Sequence, residues 1–115
     1  MVTEIVRDAV SISRLAELAA VGFGDLVKAV VDVRREIMAI GGELHADEEA
    51  LLLDAGSVQS DLWGINLYPA DFGGVGWLEF DSMINVRPGH GNRTRNVDDP
   101  ATRDRIAAIV RRLVR

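Results

Sequence analysis

VKAVVDVRREIMAIGGELHADEEALLL, residues 27–53, holds the change of hydrophobic period on which the fold class turns. Val27, Ala29, Val31 and Val33 fall on one side of an extended chain, while Lys28, Asp32, Arg34 and Glu36 mostly fall on the other, which predicts a strand. Ile37 and Ala39 continue the first side, so the strand is expected to run on to Gly41 and Gly42, where two residues tolerant of positive φ turn a hairpin. In the returning segment Leu44 and Ala46 interleave with Glu43, His45 and Asp47. It then passes an acidic patch to reach the apolar run from Ala50 to Leu53, and Asp54-Ala55-Gly56-Ser57 supplies the next turn.

Downstream, residues 62–68 read as a third strand, with Trp63, Ile65 and Leu67 on one face and Gly64, Asn66 and Tyr68 on the other, ended by Pro69. Residues 77–87 alternate most regularly, with Leu78, Phe80, Ser82, Ile84 and Val86 inward and Glu79, Asp81, Met83, Asn85 and Arg87 outward, and predict a fourth strand. Upstream, Val2 to Val6 favour β-branched types and form a candidate edge strand. Leu15, Leu18, Ala19 and Phe23 then recur at helical spacing after Ser11 and Ser13, either of which can cap orphan amides. At the other end Asp99 followed by Pro100 starts a second helix, whose stripe is Ile106, Ile109, Val110, Leu113 and Val114, with Arg111, Arg112 and Arg115 near its negative pole. The expected architecture is α+β: a four-stranded antiparallel meander with a fifth, N-terminal edge strand as an option, and one helix from each end packed on one face. Residues 1–115 are expected to form a single compact domain.

Composition removes several function classes. With no cysteine in 115 residues there is no disulfide, no thiolate nucleophile and no sulfur-based zinc site. Acids and arginines within the first dozen residues, and no apolar run near the ~18 to 20 residues of a membrane span, point to a soluble, cytoplasmic chain with no membrane partner. Residues 1–84 carry fifteen acids against five bases, whereas residues 85–115 carry three acids against eight arginines. A basic final quarter on an acidic body can attract phosphates or pair with that body. At a pI near 4.9 the whole is a poor general nucleic-acid binder, and no aromatic residue follows Phe80 to stack on bases.

If both helices cover the Val27, Leu44, Ile65 and Phe80 side, the opposite sheet face presents Lys28, Glu43, His45, Asp47, Asn66, Glu79, Asp81 and Arg87. Val30, Tyr68 and Met83 add apolar surface suited to a pocket or a dimer seam. Glu43, His45 and Asp47 share one face of the expected strand, and Asp81 can join them across the sheet. An imidazole with carboxylates suits a divalent metal, for which His45 and Asp47 are the candidate ligands, and the same groups are the candidate acids and bases. A second candidate is the loop from Arg87 to Asn96. Its glycines let amides approach an anion, and Arg87, Asn92, Arg93 and Arg95 can hold phosphate or carboxylate. No GxxxxGK[ST] or GxGxxG pattern, GxSxG elbow or HExxH helix is present, so acid, base or metal-assisted hydrolysis is the enzyme class with parts available.

The stretches VKAVVDVRREIMAIGGELHADEEALLL, DLWGIN, EFDSMINVRPGHGNRTR and DPATRDRI resemble a small family of uncharacterised prokaryotic proteins classed as a domain of unknown function. The resemblance spans roughly Leu15 to Leu113, with the segments around His45, Trp63 and Arg93 in its pattern. It implies a free-standing domain and assigns no catalytic residue. Two readings follow. One is a ligand- or protein-binding module, a homodimer through the open sheet face or an edge strand. The alternative is a metal-assisted or acid/base hydrolase of a small phosphorylated or anionic substrate, with Glu43, His45, Asp47 and Asp81 near the reaction and the arginines holding the anion.

Overall fold

The computed structural model describes residues 2–115. Strands β1 (Glu4–Val6), β2 (Val27–Asp32), β3 (Ile37–Ile40), β4 (Leu62–Leu67) and β5 (Leu78–Glu79) form one antiparallel sheet in the order β1-β3-β2-β4-β5. Helices α1 (Ile12–Val21) and α3 (Pro100–Leu113) lie on one face and α2 (His45–Asp54) on the other. The α+β class, the antiparallel sheet and the N-terminal edge strand stand as the periodicity predicts. So do both terminal helices: Ser11 caps α1 by accepting from Arg14 N, and Asp99 caps α3 by accepting from Thr102 N behind Pro100.

β2 sits at the centre because it has two faces to bury. Ala29 and Val31 join Met38, Ile40, Ile65 and Leu67 beneath Leu15, Ile106 and Leu113, whereas Val30 packs with Ile37, Ala39, Leu62 and Leu52 of α2. Each fully buried aliphatic side chain of this kind contributes about 1.5–3 kcal/mol. The polar, open sheet face of the sequence reading is therefore a covered one.

Four local expectations change. The long strand from residue 26 to 39 breaks at residues 33–36, where the buried Asp32 carboxylate accepts hydrogen bonds from Arg34 N and Arg35 N, both at 2.9 Å, and from Ser57 Oγ at 2.6 Å. An aspartate that captures the amides two and three residues ahead makes a turn without glycine, and Glu36 closes it at φ 58°. The Gly41-Gly42 pair does not turn a hairpin; it leads from β3 into α2, and a Cβ on Gly42 would stand 2.9 Å from Glu48 Cγ.

The returning strand expected at residues 43–53 is helix α2. Ala, Glu and Leu dominate that stretch and no β-branched residue occurs in it, so helix propensity is high throughout. His45, Glu48 and Leu52 form its buried stripe, and because two of the three are polar the helical period was masked. The strand order follows: with α2 as a crossover, β4 returns beside β2 instead of extending a meander.

The fourth strand expected over residues 77–87 pairs with β4 only at Leu78 and Glu79. The chain then turns through a 3₁₀ segment at Met83–Asn85, so Asn85 is buried, not outward-facing. Its side chain takes the ladder position the strand vacates: Oδ1 accepts from Gly64 N at 2.8 Å and Nδ2 donates to Gly64 O at 2.9 Å. Ser82 is buried as the alternation predicts, and it leaves room for no side chain on Gly64.

A Cβ at position 64 would meet Ser82 Cβ and Oγ at 2.5 Å and Ile84 Cγ1 at 3.2 Å. Gly64→Ala is therefore expected to cost about 1–3 kcal/mol in urea denaturation, as overpacking does. Adding Ser82→Gly to that variant should recover part of the loss, and an undiminished loss would show that the clash lies elsewhere.

Candidate functional site

Where the 3₁₀ segment replaces a strand, a hollow of about 250 Å³ opens between the start of α2, the outer part of the sheet and residues 81–84. Leu26, Leu44, Met83 and Ile84 supply its apolar wall, and Lys28, His45, Asn66, Asp81 and Arg95 its polar groups. β2 and β4 bring Lys28 and Asn66 directly opposite each other on the face that α2 covers.

His45 is the first residue of α2 and is 9% exposed. Its Nε2 lies 2.8 Å from Ile65 O. A carbonyl can only accept, so Nε2 carries the proton and Nδ1 keeps its lone pair. Burial pushes the imidazole pKa below its ordinary 6.5, and the nearby Lys28 charge works in the same direction. The Ile65 carbonyl, Asp81 and Asn66 oppose the shift without reversing it. His45 is thus a neutral imidazole at pH 7.

Asn66 is 7% exposed. Its Nδ2 donates to Glu79 Oε1 at 2.8 Å and to Asp81 O at 3.2 Å. Both partners are acceptors only, which fixes the orientation of the amide: the nitrogen must face them and Oδ1 must face away. That Oδ1 is buried and accepts no hydrogen bond from the described residues. Leaving such a group unpaired costs about 1–3 kcal/mol.

Lys28, the only lysine in the chain, sets its ammonium 4.9 Å above the Phe23 ring and makes no ion pair among the described residues. At the edge of the hollow Arg95 Nε donates to Asp81 Oδ1 at 2.6 Å, with both side chains about half exposed. One helical turn beyond His45, Glu48 is fully buried, with Oε2 accepting from Gly42 N at 3.0 Å and Oε1 unpartnered. Burial raises its pKa to about 9, with the Gly42 amide and Lys28 opposing, so it is a neutral acid at pH 7.

The residues singled out from sequence separate into two groups. His45, Asp81 and Arg95 meet in this hollow. Glu43 and Asp47 are exposed and do not share a face with His45: Glu43 precedes α2, and Asp47 is carried away from His45 because the helix turns about 100° per residue where a strand would have alternated. Among the described residues no three His, Asp or Glu side chains are grouped closely enough to hold a metal ion. Arg87 lies away from the hollow, its guanidinium donating to Gln59 O at 2.7 Å and Leu62 O at 2.6 Å and stacking 4.2 Å from Trp63. Asn92 is buried, and its amide donates to Asn85 O, Thr94 O and Asn96 O while accepting from Asp98 N, so it ties the loop together and has no donor left for an anion. Arg93 is exposed and contributes its backbone N to Asp98 Oδ2. The arginine loop and the carboxylates therefore converge in one pair, Asp81 and Arg95. The sequence places Lys28 and Asn66 on the polar sheet face without making either a candidate site residue, and it does not single out Glu48.

The fold is an antiparallel sheet between helices whose outer strand is replaced by a hydrogen-bonded loop, and the site lies where that replacement occurs. The chain belongs to the family of proteins of unknown function DUF5674, whose model matches residues 4–113. No curated protein and no solved structure matches it significantly. Among the described residues no helix is long and apolar enough to cross a membrane.

Two titrations check the electrostatics. By NMR the His45 imidazole should titrate below 6.5, with Lys28→Gln moving the midpoint up and Asp81→Asn moving it down. For Glu48 the folded pKa of about 9 lies above the unfolded value of 4.5, so the native state holds the extra proton between them. The stability tied to the neutral acid is complete below 4.5 and lost as pH rises through about 9. Urea denaturation should therefore show Glu48→Gln gaining on the wild type from about pH 5 to about pH 9. A constant difference between the two proteins would refute a raised Glu48 pKa.

Proposed function

We propose that this domain is a small-ligand-binding module and that its ligand occupies the hollow between α2, β4 and residues 81–84. The observation that carries the reading is Asn66 Oδ1, an acceptor held in place by two partners of its amide nitrogen and without a hydrogen-bond partner among the described residues. A buried polar group without a partner is costly, and in a hollow open to solvent a donor from outside the chain can relieve that cost. Lys28, which makes no ion pair among the described residues, favours an anionic ligand.

A hydrolytic role on an anionic substrate draws on the same groups. His45 has the neutral form and free Nδ1 that a general base needs, and Lys28 would offset negative charge. Glu43 and Asp47 have no part in it, since neither lines the hollow. Of the two routes to a homodimer read from the sequence, the open sheet face is covered by α2, which leaves the edge strands, β1 at one side of the sheet and the two-residue β5 at the other.

A set of small acids, alcohols and amides screened by protein-observed NMR tests the reading. Binders should shift the amides of residues 45, 66 and 81–84 together. Met83 is 64% exposed at the rim, so Met83→Trp should obstruct the hollow without disturbing the core and weaken those binders by about tenfold or more. Shifts that map to another surface, or none at all, would overturn it.

A further inference from the structure

We infer that a second hollow, on the α3 side of the sheet, binds a small aromatic carboxylic acid. Its volume is about 370 Å³, and it lies between α3 and the loop that leads into β5, with Phe72, Trp77, Leu78, Ala107 and Arg111 around it. It shares no lining residue with the hollow beside α2, so either can bind without the other. Ala107, Arg111 and Val114 recur at helical spacing along one side of α3. A helical side chain leans toward the N-terminus of its helix, so Arg111 is directed back over the space that the small Ala107 leaves. Across from them the Phe72 and Trp77 rings meet edge to face, with centroids 4.9 Å apart and planes at 88°. The Trp77 backbone is held at both polar groups: its O accepts from Tyr68 N at 2.8 Å, and its N donates to Gly74 O at 3.4 Å.

The lining selects the ligand class. Arg111 is the only charged residue in it, and Arg111 makes no ion pair among the described residues. A guanidinium without an acid matches one negative charge, and its planar fork suits a carboxylate. A dianion would leave its second charge against apolar walls. The other side chains of the lining are apolar and two of its residues are glycines, Gly73 and Gly74, so the body of the ligand is apolar as well. Phe72 is 47% exposed, and two rings set at right angles offer a third ring both a face and an edge to pack on.

Three probes separate ring from acid: phenylacetate, phenylacetamide and cyclohexylacetate. The chain has two tryptophans, and Trp63 stacks on Arg87 outside this hollow, so Trp63→Phe leaves Trp77 as the only indole emitter. Phenylacetate should change the Trp77 emission of that variant and, in the wild-type chain, shift the Gly73 and Gly74 amides by NMR. It should bind about tenfold more tightly than phenylacetamide and several-fold more tightly than cyclohexylacetate. In Arg111→Gln, a change at an exposed position, the preference for acid over amide should vanish while the preference for the ring remains. Ala107→Leu keeps a good helix former at a partly exposed position and should fill the hollow, weakening phenylacetate by about tenfold or more. If that variant does not fold, Arg111→Gln decides the matter. Equal binding of phenylacetate and either of the other probes would overturn the class. No response of Trp77, Gly73 or Gly74 to any probe would overturn the site. Both results are read apart from residues 45, 66 and 81–84, so neither bears on the hollow beside α2.

Discussion

A buried backbone must hydrogen-bond, and between Glu79 and Asp98 this chain does so without a strand or an α-helix. Side-chain amides take over. Asn85 reproduces a ladder partner for both polar groups of Gly64 and also donates to Arg95 O at 2.9 Å. Asn92 gathers three carbonyls and the Asp98 amide, and Asn66 reaches out from β4 to Glu79 and to Asp81 O. A carboxamide suits this work because it carries donors and an acceptor at nearly the spacing of a peptide group and no charge to desolvate.

The hollow is a consequence of that substitution. A continuous strand along residues 77–87 would have covered β4 from end to end and satisfied its outward groups by ladder bonds. The 3₁₀ segment instead arches past Gly64 with Ser82 packed against the missing Cβ, and leaves Asn66 to tie down the point of departure with its nitrogen alone. The unpaired Oδ1 is what remains. The same region gathers two groups whose protonation burial shifts, the lowered His45 and, behind it, the neutral acid Glu48, beside Lys28, which makes no ion pair among the described residues. Two shifted groups beside one hollow support the proposed binding role.

Much of the frame was legible in the sequence, because apolar period and cap residues are local signals. Val27 to Val31, Trp63 to Leu67 and the stripe of α3 each declare their period within a few residues, and Ser11 and Asp99 declare where helices begin. The misread elements share a cause. His45 and Glu48 occupy the buried face of α2, and at Asn85 a polar residue is buried on what alternation marks as the outside. A hydrophobic pattern cannot report a face that is polar by necessity. Nor can it distinguish the glycines that turn a strand from the Asp32 carboxylate that turns it at another place. Of the site, Asp81 and Arg95 were accessible as complementary charges, while Asn66 depends on what its amide touches and has no sequence signature.

The central claim is that asparagine amides are structural members of the sheet edge. Hydrogen exchange of the side-chain amide protons measures it most directly, with Asn96, whose side chain is exposed, as the internal reference. The account predicts that the Nδ2 protons of Asn85 and Asn92, and the backbone amide of Gly64, exchange far more slowly than those of the Asn96 side chain, with protection approaching that of the β2–β4 ladder. Exchange of the Asn85 and Asn92 side chains at the rate of Asn96 would contradict it.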